Sequence, residues 1–108
     1  MANKLWKAIE RKVASRLGGR RVPVSGRQRG DAPDIEHYWL AIEVKQRKST
    51  TAWIYDALDQ AQKSQTDSFQ LPIVVVHETG RRHDDDVVMM TLKDFQEWFG
   101  KMSDYGYY

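Results

Sequence analysis

The chain has 108 residues, 41% of them hydrophobic and 30% charged, and a formal net charge of +2. That length fits one domain, and that balance belongs to a folded globular chain rather than a disordered one. No apolar run approaches the roughly 18 residues a membrane span needs, the first residues turn charged at once rather than leader-like, and the lack of cysteine excludes disulfides and thiolate metal sites. The expected location is the cytoplasm.

The charge is unevenly placed. Residues 1–29 hold nine cations (Lys4, Lys7, Arg11, Lys12, Arg16, Arg20, Arg21, Arg27 and Arg29) against one acid, Glu10, for a net charge of +8. The remainder is therefore acidic. Such asymmetry fits a polyanionic partner such as nucleic acid, and also fits a solvated basic helix face.

In chain order, residues 3–17 predict a helix. Leu5, Ile9 and Val13 recur at four-residue spacing, Trp6 and Leu17 widen the stripe, Asn3 can cap the start, and Gly18-Gly19 ends it. Residues 20–25 predict a short strand, and residues 26–32 a polar, glycine-bearing loop. Residues 33–37 and 38–46 predict the two strands of a tight hairpin. The second alternates Leu40, Ile42 and Val44 with Ala41, Glu43 and Lys45. Residues 49–51 can cap a helix over 52–64, with Ile54, Ala57, Leu58 and Ala61 facing inward. The run LPIVVVH at 71–77 predicts a strand covered on both faces. A charged turn leads to a strand over 87–91. Thr91 and Asp94 then resemble a capping box, opening a helix that runs to about Phe99 and stops at Gly100. The order α-β-β-β-α-β-β-α implies an α/β fold: a mixed central sheet flanked by helices, with a right-handed parallel crossover between residues 38 and 77.

Glu43 and Lys45, two apart on one strand, point to the same face among core-grade neighbours. Charges there are costly unless they pair or bind something. Asp34 lies on the preceding hairpin strand, so two carboxylates and a lysine converge. Two carboxylates suit a hard divalent cation, Mg²⁺ with Mn²⁺ as substitute, in preference to Zn²⁺. Such a cation activates water against a phosphodiester while the lysine orients the nucleophile or offsets developing charge. Glu10, on the margin of the first helix's apolar stripe, is a fourth candidate for the metal. Its alternative is an ion pair with Lys7 or Arg11.

The stretch PDIEHYWLAIEVKQ resembles the motif of the PD-(D/E)xK nuclease superfamily, with Pro33-Asp34 followed by Glu43-Val44-Lys45. The resemblance covers roughly residues 5–92. It implies a restriction-endonuclease-like fold in a single domain over residues 1–108, with catalytic Glu10, Asp34, Glu43 and Lys45. The metal would be held by Asp34, Glu43, the Val44 carbonyl and Glu10. Within the superfamily the chain is most similar to archaeal-type and phage Holliday-junction resolvases, which share a basic first helix bearing a glutamate and a Ser/Gly/Arg-rich loop before the aspartate. The loop here has fewer glycines. The implied activity is Mg²⁺-dependent cleavage of branched DNA in recombination by a homodimer, in host cytoplasm if phage-encoded, without a small-molecule cofactor. The implied DNA contacts are Lys7, Arg11, Ser25, Arg27, Arg29, Gln46, Arg47 and Lys48. The alternatives are a nuclease of the same fold acting on flaps, ends or duplex, and a non-catalytic DNA-binding module.

Other signals are weaker. The run from His83 to Asp86 reads as a solvated turn that could take a cation. His37 and His77, at strand ends, read as structural, Gln60 as edging the site, and Trp39, Trp53 and Trp98 as core or interface. No phosphate-binding glycine loop or Ser-His-Asp arrangement is present.

Overall fold

The computed structural model describes the backbone of residues 2–22 and 35–103 and the side chains of residues 5–22 and 35–100. Among these the fold is mixed α/β, with three α-helices and two small antiparallel sheets. Contacts gather in two compact units, residues 1–48 with 99–108, and residues 49–98.

The first unit opens with α1 (Ala2–Leu17). It ends as its glycines require. Gly18 takes φ +79°, and the amides of Gly18 and Gly19 donate to the carbonyls of Ser15 and Ala14. This is the Schellman pattern, in which a left-handed residue turns the chain back over the last carbonyls. The face that packs is rotated from the sequence expectation. Leu5 is 55% exposed, whereas Glu10 and Ala14 are buried and Trp6, Val13 and Leu17 are half-buried. The reason lies in β1 (Arg20–Arg21), whose Arg21 reaches Glu10 and Trp6 and draws that side of the helix inward.

β1 pairs antiparallel with β2 (Ile35–Glu36), matching Arg20 with Glu36 and Arg21 with Ile35. Ile35 is completely buried, and α1 packs on both strands. Gly19 allows the close approach: a Cβ there would lie 2.5 Å from the Glu36 carbonyl oxygen and 2.8 Å from Ile35 Cγ2.

The strand expected over 38–46 does not form as a regular strand. Its pairing is a single antiparallel bridge between Ile35 and Ile42. His37 accounts for the early part: its Nδ1 accepts from the amides of Trp39 and Leu40, which bends the chain and removes two ladder donors. Its Nε2 donates to the Leu17 carbonyl at 2.6 Å, tying the segment to the end of α1. His37 is thus structural, in a tautomer fixed by its partners.

The second unit starts with α2 (Ala52–Lys63), preceded by Thr51 in extended conformation and closed by Ser64. Ile54, Ala57, Leu58 and Ala61 are its half-buried residues, as their spacing requires. β3 (Val74–Val76) packs against α2 and pairs antiparallel with β4 (Val87–Met89), in the register Val74↔Met89, Val75↔Val88 and Val76↔Val87. No parallel pair exists among the described residues, and β3 and β4 form a local antiparallel hairpin. Nor is the 71–77 run covered on both faces: Val75 is 54% and Val88 55% exposed. Pro72, with no amide to donate, precedes the short strand. Beyond β4, α3 (Leu92–Ser103) begins where the amide of Asp94 donates to Thr91 Oγ1 at 3.1 Å, one half of the expected capping box. It continues through Gly100 rather than ending there. No described helix is long and apolar enough to cross a membrane.

Candidate functional site

The candidate residues fall in the first unit, because the sequence that carries them surrounds the β1–β2 pair. Asp34, Ser25, Arg27 and Arg29 lie outside the described residues. Ile35, the residue after Asp34, bridges to Ile42, the residue before Glu43.

Glu43 and Lys45 are brought together. Lys45 Nζ stands 3.0 Å from Glu43 Oε1, with the side chains 77% and 58% exposed. The i, i+2 spacing places both on one side of a locally extended chain, as their sequence positions imply. Val44 between them is half-buried, so it anchors the segment while its neighbours reach solvent. An exposed ion pair of this kind contributes little to stability. What it offers chemically is a solvent-accessible carboxylate with an ammonium beside it.

Glu10 is in a different setting. Its side chain is fully buried, and its Oε1 accepts from Arg21 Nε at 2.7 Å; Arg21 itself is 12% exposed and its guanidinium lies 5.7 Å from the centre of the Trp6 ring. This partner, Arg21, comes from β1 rather than from α1, where Lys7 and Arg11 lie. Lys7 is half-buried and Arg11 is exposed on α1. Arg21 was legible only as one cation in a basic run; its period-two place after Gly19, inward on β1, was the available signal. A buried carboxylate already holding a guanidinium has a cation in the place a metal would take, so it suits direct ligation less well than Glu43 does.

Gln46, Arg47 and Lys48 follow Lys45 and are all exposed, leaving a cationic run beside the Glu43–Lys45 pair. Gln60 is exposed on α2 in the second unit. Trp39, Trp53 and Trp98 are 44%, 50% and 43% exposed, and so belong to the surface rather than the core among the described residues.

The second unit contains a cluster that sequence reasoning divided between a strand end and a turn. His77, His83 and Asp86 meet at the loop end of the β3–β4 hairpin. The signal was present in the spacing: valine-rich runs at 74–76 and 87–89 pair most simply as a hairpin, which sets position 77 beside position 86. An open groove lined by Ala61, Ser64, Gln65, Gln70, Leu71, Pro72 and Ile73 holds no titratable side chain and offers no comparable chemistry.

No protein-family model, curated protein or solved structure matches this chain.

Proposed function

We propose that the protein is a metal-dependent endonuclease whose catalytic core is Asp34, Glu43 and Lys45. The antiparallel bridge between Ile35 and Ile42 carries the reading. In a register continued by one pair, position 34 is the partner of position 43, and the two carboxylates of the PD…ExK pattern are then cross-strand neighbours. Cross-strand partners lie about 4.5–5.5 Å apart at Cβ, close enough for both to reach one cation.

The chemistry follows from the donor set. Glu43 is open to solvent, its ligand atoms are hard oxygens, and no cysteine competes, which fits Mg²⁺ or Mn²⁺. Asp34, Glu43 and the Val44 carbonyl would hold the cation, which when bound polarises the phosphate and lowers the pKa of a bound water. Lys45 holds a positive charge beside the reacting phosphate and orients the nucleophile. Gln46, Arg47 and Lys48 bind the backbone of the strand being cut, and the basic stretch from Lys4 to Arg29 adds the wider attraction for DNA. Glu10 is the weakest member of the ligand set, because Arg21 already provides its positive partner. The restriction-endonuclease-like fold belongs to the same proposal, as do preference for branched DNA and action as a homodimer.

The decisive experiment compares cleavage and binding in Asp34→Asn and Glu43→Gln. Both variants should lose cutting in Mg²⁺ and keep their affinity for DNA, since removing negative charge beside phosphate does not weaken binding. Cutting at the wild-type rate by either variant would overturn the assignment.

A further inference from the structure

We infer that the end of the β3–β4 hairpin is a binding site for a borderline transition-metal ion, with Zn²⁺ as its representative, formed by His77, His83 and Asp86. This site is separate from the proposed nuclease core: it lies in the second unit and takes a different class of cation.

Two features of the backbone assemble it. The hairpin register ends at Val76↔Val87, so the next residues, His77 and Asp86, face each other where the connecting loop leaves and rejoins the two strands. Between them a 3-10 turn over His83–Asp85, in which the Asp86 amide donates to the His83 carbonyl at 3.0 Å, folds His83 back over the same point. One ligand atom from each of the three residues then lies within 4.8 Å of the others. His77 Nδ1 is 2.7 Å from Asp86 Oδ1, and His83 Nδ1 is 3.1 Å from Asp86 Oδ2. The two imidazoles stand 4.5 Å apart at their centroids with 31° between their planes.

The carboxylate is thus gripped from two sides by imidazole nitrogens. Asp86 is 13% exposed while His83 is 85% exposed, so the base of the site is fixed and its outer ligand is free to adjust. Tetrahedral Zn²⁺ with bonds of about 2.0–2.2 Å needs ligand atoms roughly 3.3–3.5 Å apart, and the three atoms here already lie within 4.8 Å of one another. Two nitrogens and one oxygen select Zn²⁺, Co²⁺, Ni²⁺ or Cu²⁺ over Mg²⁺ and Ca²⁺. Three protein ligands leave the fourth position to water or another small ligand. Ligation through Nδ1 requires the tautomer protonated at Nε2, so each neutral ring gives up the Nδ1 proton it directs at Asp86 and takes one from solvent at Nε2, with no net change in protons. The bound ion then clasps the eight residues 78–85 that join the two strands.

The test is zinc titration of the full chain, read by a competing chromophoric chelator, with Co²⁺ absorption as a second readout of coordination. The expected result is one Zn²⁺ per chain, unaffected by millimolar Mg²⁺ and bound at least tenfold more weakly by His83→Gln and by Asp86→Asn. His83→Gln is the safe probe of folding, because that side chain is mostly in solvent. Glu43→Gln should bind zinc as the wild type does. Failure to take up Zn²⁺ at 100 µM, or uptake unchanged in both variants, would overturn the proposal, leaving a hydrogen-bonded clasp. Because the readout is zinc occupancy, it is independent of whether the protein cuts DNA.

Discussion

Glu10 and Lys45 mark two extremes for a charged side chain: one is wholly buried against a guanidinium, the other stands mostly in solvent. Removing one partner of a buried pair leaves the other charge uncompensated, which costs about 3–5 kcal/mol, whereas replacing both by apolar residues of similar size is often near neutral. Glu10→Gln should therefore destabilise the fold by about 3 kcal/mol in urea denaturation, and Glu10→Met with Arg21→Met should recover most of that loss. If Glu10→Gln costs under about 1 kcal/mol, the pair is not the anchor of α1. Activity separates the roles further: a structural Glu10 predicts that the double variant cuts DNA, and a metal ligand predicts that it does not. Lys45 behaves oppositely. Its side chain is exposed, so Lys45→Ala should change stability by no more than about 0.5 kcal/mol. In the proposed mechanism the same substitution lowers the cleavage rate by about 100-fold or more with affinity nearly intact. Thermal melting beside single-turnover kinetics checks both halves.

At the level of elements, the junction between α1 and β1 rests on two glycines with different duties. Gly18 supplies a left-handed conformation in open space, and Gly19 supplies the absence of a Cβ against the backbone of β2. Gly18→Ala should cost about 1 kcal/mol from conformation alone. Gly19→Ala pushes into the Glu36 carbonyl, which cannot yield as a flexible side chain would, and should cost about 1–3 kcal/mol. Melting temperatures in the reverse order would contradict this account of the junction. The same region shows what sequence patterning could and could not convey. The Gly18-Gly19 stop and the half-buried positions of α2 were legible because both follow from local stereochemistry and period. The packed side of α1 was not, because it depends on Arg21, which comes from the next element. The strand over 38–46 had the right alternation, yet His37 takes the amides of Trp39 and Leu40 that a ladder would use. β3 and β4 find each other across a short connection, whose closure costs little entropy. Of the candidate site, the nearness of Glu43 and Lys45 was readable from spacing, and that of His77 and Asp86 from the two valine runs, while the Glu10–Arg21 pair required the packing of α1 on β1.

For the whole molecule, the concentration of positive charge in residues 1–29 sets the expected mode of DNA binding. Affinity should fall steeply with salt. Single substitutions of Lys7, Arg11, Arg27 or Arg29 by alanine should each reduce the slope of log K against log salt by about one without moving the cut positions. Competition binding across a salt series measures this, and an unchanged slope in all four variants would remove the basic segment from the interface. Exposed Trp53, Tyr55, Phe69, Val75 and Val88 give the second unit apolar surface that a second copy of the chain would cover, the basis of the proposed dimer. Sedimentation at micromolar concentration should show a dimer, whose two-fold symmetry suits a four-way junction. The central claim, metal-dependent cleavage at Asp34, Glu43 and Lys45, is tested most directly by incubating the protein with labelled four-way junction, flap, duplex and single-stranded DNA in Mg²⁺ or EDTA, beside Glu43→Gln. Branched DNA should be cut in Mg²⁺, uncut in EDTA and uncut by the variant; no cleavage of any substrate in Mg²⁺, or equal cleavage by Glu43→Gln, would overturn the assignment.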